Sequence, residues 1–163
     1  MNQISVAQEH YCTAATQLIM SQLYPYIFSG ERRSRTLVAA CVAGDLHEIG
    51  ARMVSDLLEM EGWNTIYLGA NVPSSSIIPI IRQQEVNVLA LSATMTFHVP
   101  VVERLITDIR NSQEECSAKI MVGGHPFNIA PELWRRVGAD AWAPDAAQAI
   151  AVADRLLAMA APS

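Results

Sequence analysis

The run Thr36-Leu37-Val38-Ala39-Ala40-Cys41-Val42 passes through Ala43 into Gly44-Asp45-Leu46-His47-Glu48-Ile49-Gly50, and this join decides the fold. An apolar stretch without polar alternation reads as a strand buried on both faces. Behind it, over residues 48–61, Ile49, Met53, Val54, Leu57 and Leu58 recur at helical spacing, and Gly62 ends the helix. Strand, loop and helix make half of a parallel crossover, so a second strand is expected beside the first. It comes at residues 64–68, Asn-Thr-Ile-Tyr-Leu.

From there the unit repeats. Pro73 stands near the start of a helix carrying Ile77, Ile78, Ile80 and Ile81, and a third strand follows at 87–91. A helix over 100–112 turns Val101, Val102, Leu105, Ile106 and Ile109 inward and leads to a fourth strand at 118–122. After the break at Gly123-Gly124 the pattern predicts a short helix over 131–137, a brief fifth strand at 140–143 and a closing helix over 145–160. Right-handed crossovers of this kind build an α/β fold, a doubly wound five-stranded parallel sheet in the order 2-1-3-4-5, flavodoxin-like or Rossmann-like. Such a sheet holds ligands at the carboxyl ends of its strands, near the switch point between strands 1 and 3.

Residues 1–30 differ. They read as one or two helices with Ile4, Ala7, Tyr11, Ala14, Ala15, Leu18, Ile19 and Leu23 on an apolar side, closed by Pro25 and a polar linker at 29–34. A single amphipathic segment cannot bury its own stripe, so it is expected to pack on the sheet domain, on another copy or on further helices. The expected organisation is therefore a helical segment at 1–30 ahead of an α/β domain at 35–163.

Composition narrows the function. The 163 residues are 51% hydrophobic and 17% charged, enough for one full core and unlike a disordered tail or a disulfide miniprotein. Eleven Lys and Arg against sixteen Asp and Glu leave a net charge of −5, and Lys119 is the sole lysine, so no basic field exists to hold a nucleic-acid backbone. Cys12, Cys41 and Cys116 include no short-spaced pair, which argues against a disulfide framework and a Cys-rich zinc site. No apolar run reaches the ~18 residues of a membrane span, and no signal peptide is visible, so the expected compartment is the cytoplasm.

The chemistry concentrates in Gly44 to Gly50. An imidazole, a carboxylate two residues before it and a glycine three residues after it fall at the carboxyl end of a central strand. A neutral imidazole suits a borderline transition metal, and a carboxylate on its other ring nitrogen fixes the tautomer and raises its basicity. A glycine inside a helix costs ~1 kcal/mol relative to Ala, and Gly50 removes a side chain where something bulky passes close. Alone, the loop also admits a plainer reading, in which Asp45 caps the helix and His47 is an exposed residue of its first turn. Two neighbouring strand ends add to it. The third strand ends in Ser92-Ala93-Thr94, with hydroxyls on alternate residues, and the fourth in Gly123-Gly124, which leaves backbone room for a flat ligand.

Together, Asp45-Leu46-His47-Glu48-Ile49-Gly50, Ser92-Ala93-Thr94 and Gly123-Gly124 resemble the signature of the cobalamin-binding domain family, D-x-H-x-x-G, S-x-T or S-x-L, and G-G, over about residues 35–160. The resemblance implies a corrinoid (adenosylcobalamin, methylcobalamin or hydroxocobalamin) bound base-off, with His47 as lower axial ligand of cobalt and Asp45 behind it. It places the nucleotide tail in a slot lined by Gly50, Ser92, Thr94, Gly123 and Gly124, with Leu46 and Ile49 also in contact. Ile4-Ser5-Val6-Ala7-Gln8-Glu9-His10 looks like the end of the helical cap of cobalamin-dependent photoreceptor regulators, a Trp, nine residues, then Glu-His. The Trp would fall upstream of Met1. This second likeness makes His10 a candidate upper axial ligand and Glu9 a contact; the plainer alternative is a solvated pair.

Other residues are expected to do less. His98 and His125 read as partly exposed loop residues on the site rim, His125 within reach of the corrin edge. Trp134 and Trp142 read as packing residues, and Met53, Met60 and Met95 as core filler. A phosphate-accepting receiver fails for want of an Asp ending the third strand, and a dinucleotide site for want of G-x-G-x-x-G. A hydrolase lacks its constellation, and a mutase its substrate barrel. Haem remains a residual tetrapyrrole alternative. The sequence therefore favours a non-catalytic, light-responsive cobalamin sensor acting through a protein partner such as a transcription regulator or signalling domain. The runner-up is a corrinoid carrier of a methyltransferase system.

Overall fold

The computed structural model describes residues 5–27, 34–112 and 117–160, with the backbone alone at 160. Ile4, Cys116 and the linker at 29–33 lie outside them. The chain divides into two compact units, Met1–Glu31 and Arg32–Ser163.

Among the described residues the first unit holds one helix, α1 (Val6–Ile27), which runs through Pro25 instead of ending before it. Its start is a reciprocal cap: the Gln8 N–H donates to Ser5 Oγ at 3.3 Å, and the Ser5 N–H to Gln8 Oε1 at 2.8 Å. The expected apolar stripe is absent. Val6, Tyr11, Leu18, Ile19, Leu23 and Tyr26 are spread around the axis and exposed, so good helix formers and the cap, rather than a segregated face, account for the helix.

The second unit is built on β1 (Thr36–Cys41), α2 (Ile49–Met60), β2 (Asn64–Tyr67), α3 (Ser74–Gln83), β3 (Val88–Ser92), α4 (Val99–Arg110), β4 (Lys119–Gly123), α5 (His125–Ile129), α6 (Leu133–Arg136), β5 (Ala141–Trp142) and α7 (Ala146–Ala160). All pairings are parallel and the order is β2-β1-β3-β4-β5, as the repeat of units requires. Alternate side chains of the central strands feed two cores. Val38, Ala40, Leu89, Leu91, Ile120 and Val122 face Ile77, Ile81, Leu105 and Ile106 of α3 and α4. On the other face, Leu37, Ala39, Val88, Ala90 and Met121 meet Leu58 of α2 and Ala149, Ala153 and Leu156 of α7. Burial on both faces explains why these strands carry no polar alternation.

The structure corrects several local expectations. A 3-10 turn, Thr96–His98, precedes α4, and α5 begins directly after the glycine pair, where no helix was expected. The short helix expected over 131–137 is the single turn of α6, because the chain must fold back within a few residues to reach β5. Met53, Met60 and Met95 are 45%, 51% and 42% exposed and are not core filler; the strands' Val, Leu, Ile and Ala already fill both cores. Trp134 and Trp142 are half-buried against the first core, as packing residues should be.

One clasp joins the amino ends of β1 and β2 to α7. Arg35, 9% exposed, donates to Asp154 Oδ1 and to the Glu61 carbonyl, both at 2.6 Å, and lies 4.8 Å from the centre of the fully buried Trp63 ring. Trp63 Nε1 donates to the same Asp154 oxygen at 3.2 Å. Arg35→Ala removes the hydrogen-bonded charge and the stacking together, whereas Asp154 is half-exposed and regains water, so a loss of about 2 kcal/mol is expected. Urea unfolding followed by Trp fluorescence measures it, with Asp154→Asn expected to cost less.

Candidate functional site

The sheet order sets the carboxyl ends of β1, β3 and β4 side by side, with Cys41 opposite Ser92 and Ser92 opposite Gly123. The ladder continues past the strand ends: the Val42 N–H donates to the Ser92 carbonyl at 3.2 Å, and the Ala93 N–H to the Gly123 carbonyl at 3.1 Å. The loops after these strands therefore share one rim, at the switch point between β1 and β3.

Asp45 is the centre of that rim and is wholly buried. Its Oδ1 accepts the ring Nδ1–H of His47 at 2.8 Å and the His47 backbone N–H at 3.1 Å, while Oδ2 accepts the Thr94 N–H at 2.6 Å. Burial alone would raise the Asp45 carboxyl, but the backbone and ring donors of His47, the Thr94 N–H and the nearby His98 together hold it below the usual carboxylate value. The helix-cap reading of Asp45 does not stand. The residue at the N-cap of α2 is Glu48, which makes no side-chain cap bond, and the Asp45 carboxylate instead spans from the β1 loop to the end of β3.

His47 is the exposed member of the pair, its side chain 56% accessible. Among the described residues its ring is engaged through Nδ1 alone, so Nε2 is left as a lone-pair donor. Leu46 is 71% exposed beside it, and Ile49 is the half-buried first residue of α2. Glu48 is turned away and held: Tyr67 Oη lies 2.9 Å from its Oε2 and 3.2 Å from its carbonyl, both within hydrogen-bond reach, and burial with the Glu48 contact pushes the Tyr67 hydroxyl well above its ordinary value.

Asn71, which the sequence left unassigned, and His98, which it read as a partly exposed rim residue, also border the site. Asn71, at φ 53°, clamps the loop by accepting the Gly44 N–H at 2.8 Å on its Oδ1 and donating its own N–H to the Asp45 carbonyl at 2.9 Å. An Asn in a short Gly-Ala-Asn turn is the only sequence signal for that role. His98 is the larger correction. It is 4% exposed, buried beneath the β1 loop with Nδ1 3.7 Å from Asp45 Oδ2, because the 3-10 turn swings it inward ahead of α4.

The glycines differ in what they permit. An added Cβ at Gly50 meets nothing within 4 Å, one at Gly123 comes 3.2 Å from the Ala143 carbonyl, and one at Gly124 comes 2.1 Å from the Ala93 carbonyl. Gly50 thus opens onto free space, while Gly124 allows β3 and the β4 loop to touch. Ser92 is half-buried and bonds the Cys41 thiol, which burial, Asp45 and Glu48 push up to about 12. Thr94 contributes through its backbone N–H. His125 is exposed at the start of α5. Glu9 and His10 belong to the other unit, adjacent on α1 with His10 Nε2 3.5 Å from Glu9 Oε2 and both side chains exposed.

These residues fit a metal-centred, flat ligand. A buried carboxylate holds the back of an exposed imidazole, and a helix glycine leaves the next turn open. Residues 35–151 match the B12 binding domain, more than half the chain, and the chain belongs to that family. Cobalamin is its cofactor. Dimethylamine corrinoid protein 1 of Methanosarcina acetivorans is 30% identical over 131 residues, covering 80% of this chain and 60% of that protein. The chain thus spans about three fifths of the relative's length. Among solved structures, the monomethylamine corrinoid protein of Methanosarcina barkeri superposes with a TM-score of 0.81 at 26% identity, over 96% of this chain and 73% of that one. A cobalamin-binding protein of Desulfitobacterium hafniense gives 0.70 at 25% identity, over 76% and 59% of the two chains. Among the described residues no helix is long and apolar enough to cross a membrane.

Proposed function

We propose that the chain is the corrinoid-holding part of a methyl-transfer system, with His47 as the lower axial ligand, and not itself a catalyst. The observation that carries this is the pairing of the buried Asp45 with the exposed His47 ring through Nδ1 at 2.8 Å. Cobalamin, when bound, supplies a cobalt centre that takes up and gives off a methyl group. Asp45 holds the Nδ1 proton, which keeps the lone pair on Nε2 and strengthens it as a donor. The Thr94 N–H and Asn71 fix Asp45 and its loop, so the imidazole is pre-set and little ordering is needed on binding. Gly50, Ser92, Gly123 and Gly124 are assigned to the nucleotide tail, and Leu46, Ile49 and His125 to the corrin.

Relatives named for methylamines and a corrinoid pair a one-carbon donor with a methyl-accepting metal, and this supports a carrier served by separate methyltransferases over a light sensor. The second reading, a light sensor read by a signalling partner with His10 as a candidate cobalt ligand, rests on the likeness of Glu9-His10 to the end of the photoreceptor cap. Absorption spectra separate them. As a carrier, the protein loaded with adenosylcobalamin and illuminated with green light gives a product spectrum that His10→Ala leaves unchanged. A light product with two imidazole ligands that disappears in His10→Ala overturns the carrier in favour of the sensor. Failure to take up any cobalamin in the dark overturns both.

A further inference from the structure

We propose that Tyr67 is a positioning residue for His47: with Glu48 it latches the first turn of α2 to the end of β2, and so fixes the height and tilt at which the imidazole is offered to cobalt. This rests on the reading of His47 as a cobalt ligand. The latch acts on the main chain beside the imidazole, separately from the carboxylate behind the ring.

The register of the sheet sets it up. Tyr67 lies opposite Ala39, and its side chain packs against the core of Leu37, Ala39 and Leu58 that α2 covers. From there its Oη donates to Glu48 Oε2 at 2.9 Å, with the Glu48 carbonyl 3.2 Å away. A phenol has one proton to give, and both acceptors belong to the residue directly after His47, so that proton ties side chain and main chain of the same residue to β2. Burial, and then the contact with Glu48, raises the hydroxyl well above its ordinary value, so it keeps its proton. The carboxylate reaches over the end of β2, where a Cβ on Gly69 would stand 3.8 Å from Oε2. Packing alone would be served equally by Phe.

The Glu48 carbonyl is also an acceptor of α2 itself, taking the Arg52 N–H at 3.0 Å. A donor at that carbonyl therefore bears on where the helix starts. One residue earlier, the Cys41 thiol donates to the His47 carbonyl at 3.6 Å. The chain on the carboxyl side of His47 is thus held from β1 and from β2, while Asp45 holds its N–H and its ring. Without the Tyr67 hydroxyl the ring keeps its bond to Asp45, but the turn that carries it loses a fixed distance from the sheet. A ligand already set in direction needs little ordering when the cofactor arrives, and a rocking one needs more.

Tyr67→Phe is the informative change. In protein free of cofactor it should leave the His47 Nδ1 proton in place in nitrogen-15 spectra and quicken exchange of the Arg52 amide. Affinity for hydroxocobalamin should fall roughly tenfold, on the scale of one hydrogen bond. With cobalamin bound and reduced by one electron, a share of the cobalt should lose the nitrogen splitting that the native protein shows. Glu48→Ala should also weaken binding, Glu48→Gln, which retains an accepting oxygen, should weaken it less, and Tyr67→Phe combined with Glu48→Ala should be no weaker than Tyr67→Phe alone, since both remove one contact. Native affinity and undiminished splitting in Tyr67→Phe overturn the proposal, whatever happens to its melting temperature, and so do losses that add in the double variant. Native protein whose reduced cobalt shows no nitrogen splitting overturns the reading of His47 instead, and this inference with it.

Discussion

His47→Ala is expected to abolish the base-off, imidazole-ligated cobalamin spectrum and to weaken cobalamin binding by at least about 100-fold, beyond the usual cost of losing a residue behind a ligand. The protein should still fold. The His47 side chain is 56% exposed and packs no core, and Asp45 keeps the backbone N–H of residue 47 and that of Thr94, so a loss of about 1 kcal/mol is expected. Asp45→Ala should behave differently: it leaves the Thr94 N–H without an acceptor in a closed site and releases the His47 ring, and it lowers both stability and cobalamin affinity. Equilibrium titration with hydroxocobalamin and thermal melting of the same variants measure the two effects. Retention of a nitrogen-ligated cobalt in His47→Ala would remove the assignment of this residue as ligand.

Gly124→Ala should have the largest effect on the fold. Gly124 sits at φ 106°, which L side chains rarely adopt, and the new Cβ would stand 2.1 Å from the carbonyl oxygen of Ala93 and 2.8 Å from its carbon. These are backbone atoms at the end of β3, itself tied to Gly123 by the Ala93 N–H at 3.1 Å, so no side chain can turn aside. A loss of about 3 kcal/mol or more is expected, within the range of strained-backbone and overpacking changes. Gly50→Ala is the contrast. Its Cβ meets nothing within 4 Å and alanine suits a helix better by ~1 kcal/mol, so the free protein should become slightly more stable while cobalamin binding weakens. Denaturant unfolding of the two variants with and without cobalamin shows both signs.

Much of this site was legible in the residues. The strand, loop and helix around Asp45 and His47, the pair of glycines after β4 and the Ser-x-Thr after β3 are local patterns, and a parallel sheet has only one place to bring such patterns together. The contact of Asp45 with the His47 ring spans two positions, but the reach of its other oxygen to the Thr94 backbone crosses 49 and has no local signature. His98 was misread for a related reason. A histidine in a loop looks exposed from its neighbours, and only the inward swing of the 3-10 turn, set by how α4 docks on the sheet, buries it. The helix at the amino end failed in the opposite direction, because apolar residues picked at helical intervals suggested a stripe that the full circumference of α1 does not show.

Sequence by itself therefore determined the class of fold, the strand order and the family signature, because each depends on periodicity or on residues a few positions apart. Tertiary structure alone decided that Asp45 is shared between His47 and Thr94, that Asn71 clamps the loop, that Gly124 admits the close approach of β3 and that His98 is buried beside the carboxylate. Those features join residues far apart in the chain, and the energy that fixes them, the burial of a charge that must find its donors, exists only once the strands are side by side.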